Sequence, residues 1–122
     1  MRALIATSVG TVMLAACASV PPPKAEMARA EFAVKQAEVA GAASEAPLQF
    51  RNAQQELAQA QDLLKKKDHT GAQRLAEQAQ ADAEYAQALT NSRKWQKAAL
   101  ELKATQEALK QELDRSGSAG GG

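Results

Sequence analysis

A chain of 122 residues with 15 Lys and Arg, 14 Asp and Glu, one His and one Cys has a formal charge of +1. That balance excludes the clustered basic footprint of a nucleic-acid binder, and with aromatics at 3% there is little for bases to stack on. The lone Cys excludes an internal disulfide framework.

The chain begins with Arg2, an apolar run over residues 3–14, and Ala15 and Ala16 directly ahead of Cys17. A charged start, an apolar stretch and small residues before a cut site form the layout of an export signal. Leu14-Ala15-Ala16-Cys17 resembles the lipobox of bacterial lipoproteins. That resemblance implies a cleaved signal peptide over residues 1–16, with the cut between Ala16 and Cys17. It also implies a diacylglyceryl group on the Cys17 sulfur and an acyl group, such as palmitate, on the new amine. The competing reading is a transmembrane helix. A span needs about 20 apolar residues, and Pro21, Pro22 and Pro23 end any helix soon after Cys17. Ala18 rather than Asp follows Cys17, which by analogy with the enterobacterial sorting rule implies delivery to the periplasmic face of the outer membrane. Losing Arg2 with the signal leaves 14 basic and 14 acidic side chains.

Residues 17–24 read as an acylated Cys and a Pro-rich stalk. Polyproline II rises ~3.1 Å per residue, so the six residues from Ala18 to Pro23 would lift the fold by about 20 Å. From Lys24 the composition turns to Ala, Glu, Gln, Lys and Leu, which favours helix. An Ala-rich helical domain is expected over residues 25–115, with helices near 25–41, 46–67 and 70–114.

The first helix should stop at Gly41 and present Met27, Ala30, Val34 and Ala37 on one side, with Phe32 and Val39 beside them. Pro47 suits the first turn of a second helix, with Ser44 as a candidate cap. Phe50, Ala53, Leu57, Ala60 and Leu64 then alternate at steps of three and four, a coiled-coil-like seam. Lys65-Lys66-Lys67 suits a helix C-terminus. Asp68-His69-Thr70-Gly71 breaks the pattern, and Thr70 with Gln73 has the form of a capping box. The short turn makes the second and third helices antiparallel neighbours.

The third helix meets neither Gly nor Pro from Ala72 to Asp114 and can exceed 40 residues. Its first part offers Leu75, Ala79, Ala83, Ala86 and Leu89 to the bundle, with Tyr85 as core. Its second part carries an apolar stripe: Trp95, Leu102 and Leu109, with Ala98, Ala99 and Leu113 alongside. This stripe is the candidate partner-binding surface, for a second copy or another envelope protein, unless the first helix reaches out to cover it. Residues 116–122 read as a flexible Gly and Ser tail.

Ala46-Pro47-Leu48-Gln49-Phe50, the series Ala53, Leu57 and Ala60, and the run Leu75-Ala76-Glu77-Gln78-Ala79-Gln80-Ala81-Asp82-Ala83 together resemble the domain of unknown function numbered 4398. The resemblance covers most of the chain after the stalk and implies an Ala-rich helical lipoprotein of Gram-negative envelopes. Lys67-Asp68 stands where that family commonly begins the turn with Gly-Asp. Many relatives continue into an OmpA-like, peptidoglycan-binding domain. Here Gly120-Gly121-Gly122 follows instead, so no direct grip on the cell wall is expected.

Catalytic chemistry finds no foothold in the sequence. His69 is a lone turn histidine without convergent partners, and no metal ligand set is expected around it. Asp82 and Glu84 do not face each other at helical spacing, and Glu77 with Asp82 reads as wet helix surface. The reading is an all-α protein, an antiparallel helical hairpin or three-helix bundle with a long protruding C-terminal helix. It would be non-enzymatic, free of cofactors apart from the covalent lipid, and would act as a spacer or docking module. The alternative is a small helical binding or chaperone-like module that holds a client protein or lipid in an Ala-lined groove.

Overall fold

The computed structural model describes residues 19–121. They form four helices, α1 (Lys24–Ala40), α2 (Ala42–Glu45), α3 (Pro47–Lys65) and α4 (His69–Ala119), and contain no strand. The protein is all-α, as its composition implied.

The breaks between helices follow from particular residues. Gly41 ends α1 at φ 92°, a left-handed conformation that glycine adopts without steric penalty. α2 is a single turn that the sequence reading did not anticipate. Pro47 occupies the first turn of α3, where its missing N–H costs nothing. Ser44 does not cap that helix: its hydroxyl donates to the Gly41 carbonyl at 3.0 Å, and Ala46 precedes α3 without a side-chain cap.

The turn into α4 is closed by Asp68 N–H donating to the Leu63 carbonyl at 2.9 Å. The Asp68 carboxylate then accepts from Gly71 N–H, also at 2.9 Å. Asp68 is therefore the cap, and the expected Thr70–Gln73 box gives way because Thr70 already lies inside the first turn. A Cβ on Gly71 would come within 2.5 Å of the Asp68 carboxylate and 2.9 Å of Leu63. Close packing, not backbone freedom, asks for glycine there.

Two buried layers hold the helices together. In one, Met27 and Ala30 of α1 meet Ala60 of α3 and Ala76 and Ala79 of α4, flanked by Leu57, Leu64 and Leu75. In the other, Ala33 and Ala37 meet Phe50, Ala53, Ala83 and Ala86, flanked by Val34 and Leu89. Early residues of α1 thus lie beside early residues of α4 and late residues of α3. α1 and α4 run parallel, and α3 runs antiparallel to both. The first helix joins the bundle and leaves the second half of α4 uncovered.

The α3 seam is the predicted one, whereas on α1 Ala33 takes the buried place expected for Val34. Methyl side chains at the contact let the helix backbones approach closely and push the larger Val34 to the rim. Tyr85 is mostly exposed rather than core. The buried row of α4 runs Ala72, Ala76, Ala79, Ala83, Ala86 and Thr90, and Tyr85 falls off it. The tail also departs from expectation, since α4 continues to Ala119. Ser116 donates back to the Leu113 carbonyl at 3.0 Å, and no proline stops the helix.

Nor do the stalk residues stand clear of the fold. The His69 imidazole donates from Nδ1 to the Val20 carbonyl at 2.5 Å, Pro23 is buried, and its carbonyl accepts from Met27 N–H at 3.0 Å.

Candidate functional site

Beyond Thr90 the character of α4 changes. Thr90 is fully buried and its hydroxyl donates to the Ala86 carbonyl at 2.8 Å. Every described residue after it is exposed. At 1.5 Å per residue, residues 91–119 project about 43 Å past the last buried layer.

Each residue of the predicted stripe lies on this projection. Trp95 is 76% exposed, Leu102 and Leu109 60% each and Leu113 62%, and Ala98 and Ala99 are exposed beside them. Trp95, Leu102 and Leu109 recur every seven residues and therefore share one face. Trp95 and Ala98 line a shallow cleft with Asn91 and Lys94 where the projection leaves the bundle.

What fixes the root of the projection is a basic cluster that the sequence reading missed. Arg93 donates to the Glu45 carbonyl, and Lys94 donates to the Ala40 carbonyl at the end of α1. The Lys97 ammonium contacts both Glu45 carboxylate oxygens, at 2.7 and 2.9 Å. Two of these cations, Arg93 and Lys94, thus satisfy carbonyls at the ends of α2 and α1, which have no partner within their own helices, and the third, Lys97, pairs with the Glu45 carboxylate. The Lys97 hydrogen bond, with the charges of Lys97, Lys94 and Arg93 behind it, holds the Glu45 carboxyl below the usual carboxylate range against a smaller opposing effect of burial. The partners lie 48 to 54 residues apart. Only the parallel α1–α4 packing makes them neighbours.

Between α3 and α4 the Glu56 carboxyl is perturbed in the other direction. Burial raises its pKa and the Asp82 charge adds to the rise, opposed by a 2.6 Å hydrogen bond from Gln78. Its second oxygen is shielded from solvent without a hydrogen-bond partner. Asp82 therefore finds its acidic neighbour across the helix pair, not in Glu77 or Glu84. A single strained carboxyl of this kind, without a nucleophile or base beside it, is a packing feature.

At the opposite end of the bundle, Ser19 and Val20 sit against Lys67, Asp68, His69 and Thr70. His69 is committed to tying down the entering chain. Among the described residues no group of three or more His, Cys, Asp and Glu could hold a metal ion, and no helix is long and apolar enough to cross a membrane. The predicted cleavage and lipidation residues, Ala16 and Cys17, lie outside the described residues, as do the rest of 1–18 and Gly122.

A family model described as Domain of unknown function (DUF4398) matches residues 25–102. No curated protein and no solved structure matches the chain. The matched stretch takes in the whole bundle, the basic cluster and the stripe as far as Leu102.

Proposed function

The chain belongs to the DUF4398 family, whose description assigns no activity, and from its shape we propose that it is a non-enzymatic envelope lipoprotein acting as a spacer and docking module. In this reading Cys17 carries the lipid anchor, residues 1–16 are removed, and the mature protein resides on the periplasmic face of the outer membrane. The second half of α4 is its working part.

The observation that carries the proposal is the projection itself. An apolar stripe with a seven-residue repeat extends from a packed bundle, yet none of the described helices covers it. Exposed apolar surface of this regularity is typical of a helix that awaits a partner helix. Lys94 and Lys97 hold its root to the bundle corner, so a docked partner would be carried by an arm fixed at its base. The client-binding alternative has less support. The Ala-lined faces are occupied by one another, which leaves a client shallow surface clefts such as the one around Phe32 between α1 and α4.

Photo-crosslinking in cells from position 102 tests the docking surface. We expect a discrete crosslinked species, lost when Leu109→Glu is added, while circular dichroism shows the bundle still folded. Absence of any crosslink from positions 95–113, or its persistence in the Glu variant, would refute the surface. The anchor is tested separately: Cys17→Ser should accumulate as a longer, unacylated precursor, and processed protein from that variant would refute lipidation.

A further inference from the structure

The end of the bundle nearest the anchor has a chemistry of its own. Because α1 and α4 run parallel with α3 against them, the N-termini of α1 and α4 and the C-terminus of α3 meet at one end. That end exposes Lys24, Lys65, Lys66 and Lys67. Of the nearby acids, Asp62 pairs with Lys65 at 3.5 Å, and Asp68 is held at the Gly71 N–H, where it keeps its charge, so the end has a small excess of positive charge. Glu26 lies half-buried in the first turn of α1. Two helix N-termini against one C-terminus add partial positive charge.

Two observations point this end at a surface. The first is the tether: Val20 is bonded to His69 in the α3–α4 turn, and Cys17 lies three residue steps before Val20. Even fully extended, three steps span only about 10 Å, so an acyl group on Cys17 forces the turn to within about a Debye length of the lipid headgroups. The second is Lys67, which stands at φ 63°, a left-handed conformation that penalises any side chain with a Cβ. A long cationic side chain is held where glycine would be easier.

We propose that this basic end is seated on an anionic phospholipid surface, the membrane that holds the anchor, so that α4 stands away from the lipid with its free end outermost. The proposal rests on the acylation of Cys17 argued above. Polybasic segments beside a membrane anchor are attracted to acidic headgroups over a Debye length, and exposed Lys24, Lys66 and Lys67 at the tether point, next to the Asp62-paired Lys65, fit that pattern. The lysines orient the bundle, while the acyl chains supply the permanence.

The experiment uses the processed, acylated protein in vesicles. Thr70→Cys marks the seated end and Ser118→Cys the free end, each labelled with a fluorophore; acylation blocks Cys17. Transfer to a headgroup-labelled acceptor lipid is read in phosphatidylglycerol–phosphatidylethanolamine and in phosphatidylcholine vesicles. Residues 70 and 118 are separated by about 72 Å of helix. In anionic vesicles transfer should be several-fold stronger from 70 than from 118. In phosphatidylcholine, transfer from 118 should rise as the bundle tilts, and Lys66→Gln with Lys67→Gln should produce the same rise in anionic vesicles. Flotation with equal transfer from both ends, or an asymmetry indifferent to headgroup charge and to the two substitutions, would overturn the seating alone. Failure to float with either vesicle would overturn the anchor, and the seating with it.

Discussion

Lys67 shows how one backbone angle can set a residue's cost. Its left-handed φ should make Lys67→Gly stabilising by about 1 kcal/mol, read as a rise in urea midpoint without a change in slope. The titrating carboxyls give predictions of opposite sign. Glu45 has a depressed folded-state pKa, so its contribution is present above the ordinary carboxylate value and fades as pH falls through the folded one. Lys97→Met should lower stability at neutral pH and converge with the parent in acid. Glu56 has a raised pKa. Its charged form is a penalty above the folded value that vanishes below the ordinary one, so Glu56→Gln should raise the melting temperature at neutral pH and leave it unchanged in acid. Gln can still accept from Gln78. Neither effect was legible in the sequence, because Lys97 and Asp82 reach their partners only through helix pairing. The Asp68 cap lay two residues from a plausible Thr70 box, and choosing between them requires knowing where the first helical residue falls.

Among the helices, α3 was the most legible and α1 the least. Phe50, Ala53, Leu57, Ala60 and Leu64 keep a strict alternation of steps, and the structure buries or half-buries all five. On α1 almost every position is small or charged, so hydrophobic pattern could not separate Ala33 from Val34. Exposed Phe32 would have been a natural core candidate in isolation. The two phenylalanines make the contrast testable. Phe50, buried against both neighbours, should cost about 3–5 kcal/mol when replaced by Ala, enough to unfold a domain of this size. Phe32→Ala, at a position 66% exposed, should stay within about 0.5 kcal/mol. Thermal melts of the two variants side by side decide the matter. The reach of α4 was legible from the lack of Gly and Pro after Ala72. Its extension over Gly117 to Ala119 was not, because composition suggested a tail where nothing in the structure obstructs the helix.

Taken as one body, the protein has a packed part and an unsupported part joined at Thr90. Amide hydrogen exchange should reveal the boundary. Residues 98–119, beyond the Arg93–Lys97 attachments, should exchange by local opening with little protection, whereas the buried rows of α1, α3 and α4 should approach global stability. Protection of the projection in membranes, but not in the isolated protein, would report a docked partner. The alanine core has a further consequence, for the temperature response. Among the described residues, apart from Pro23, Met27 and Phe50, the buried apolar side chains are all alanines, so unfolding exposes much methyl and backbone surface and few large apolar groups. Apolar exposure raises heat capacity and polar exposure lowers it. The heat-capacity increment per residue should therefore fall below the usual ~12–15 cal/mol/K, and stability should follow a shallow curve with temperature. A bundle built in this way gains modest strength at its optimum but retains a similar margin in cold and warm surroundings alike.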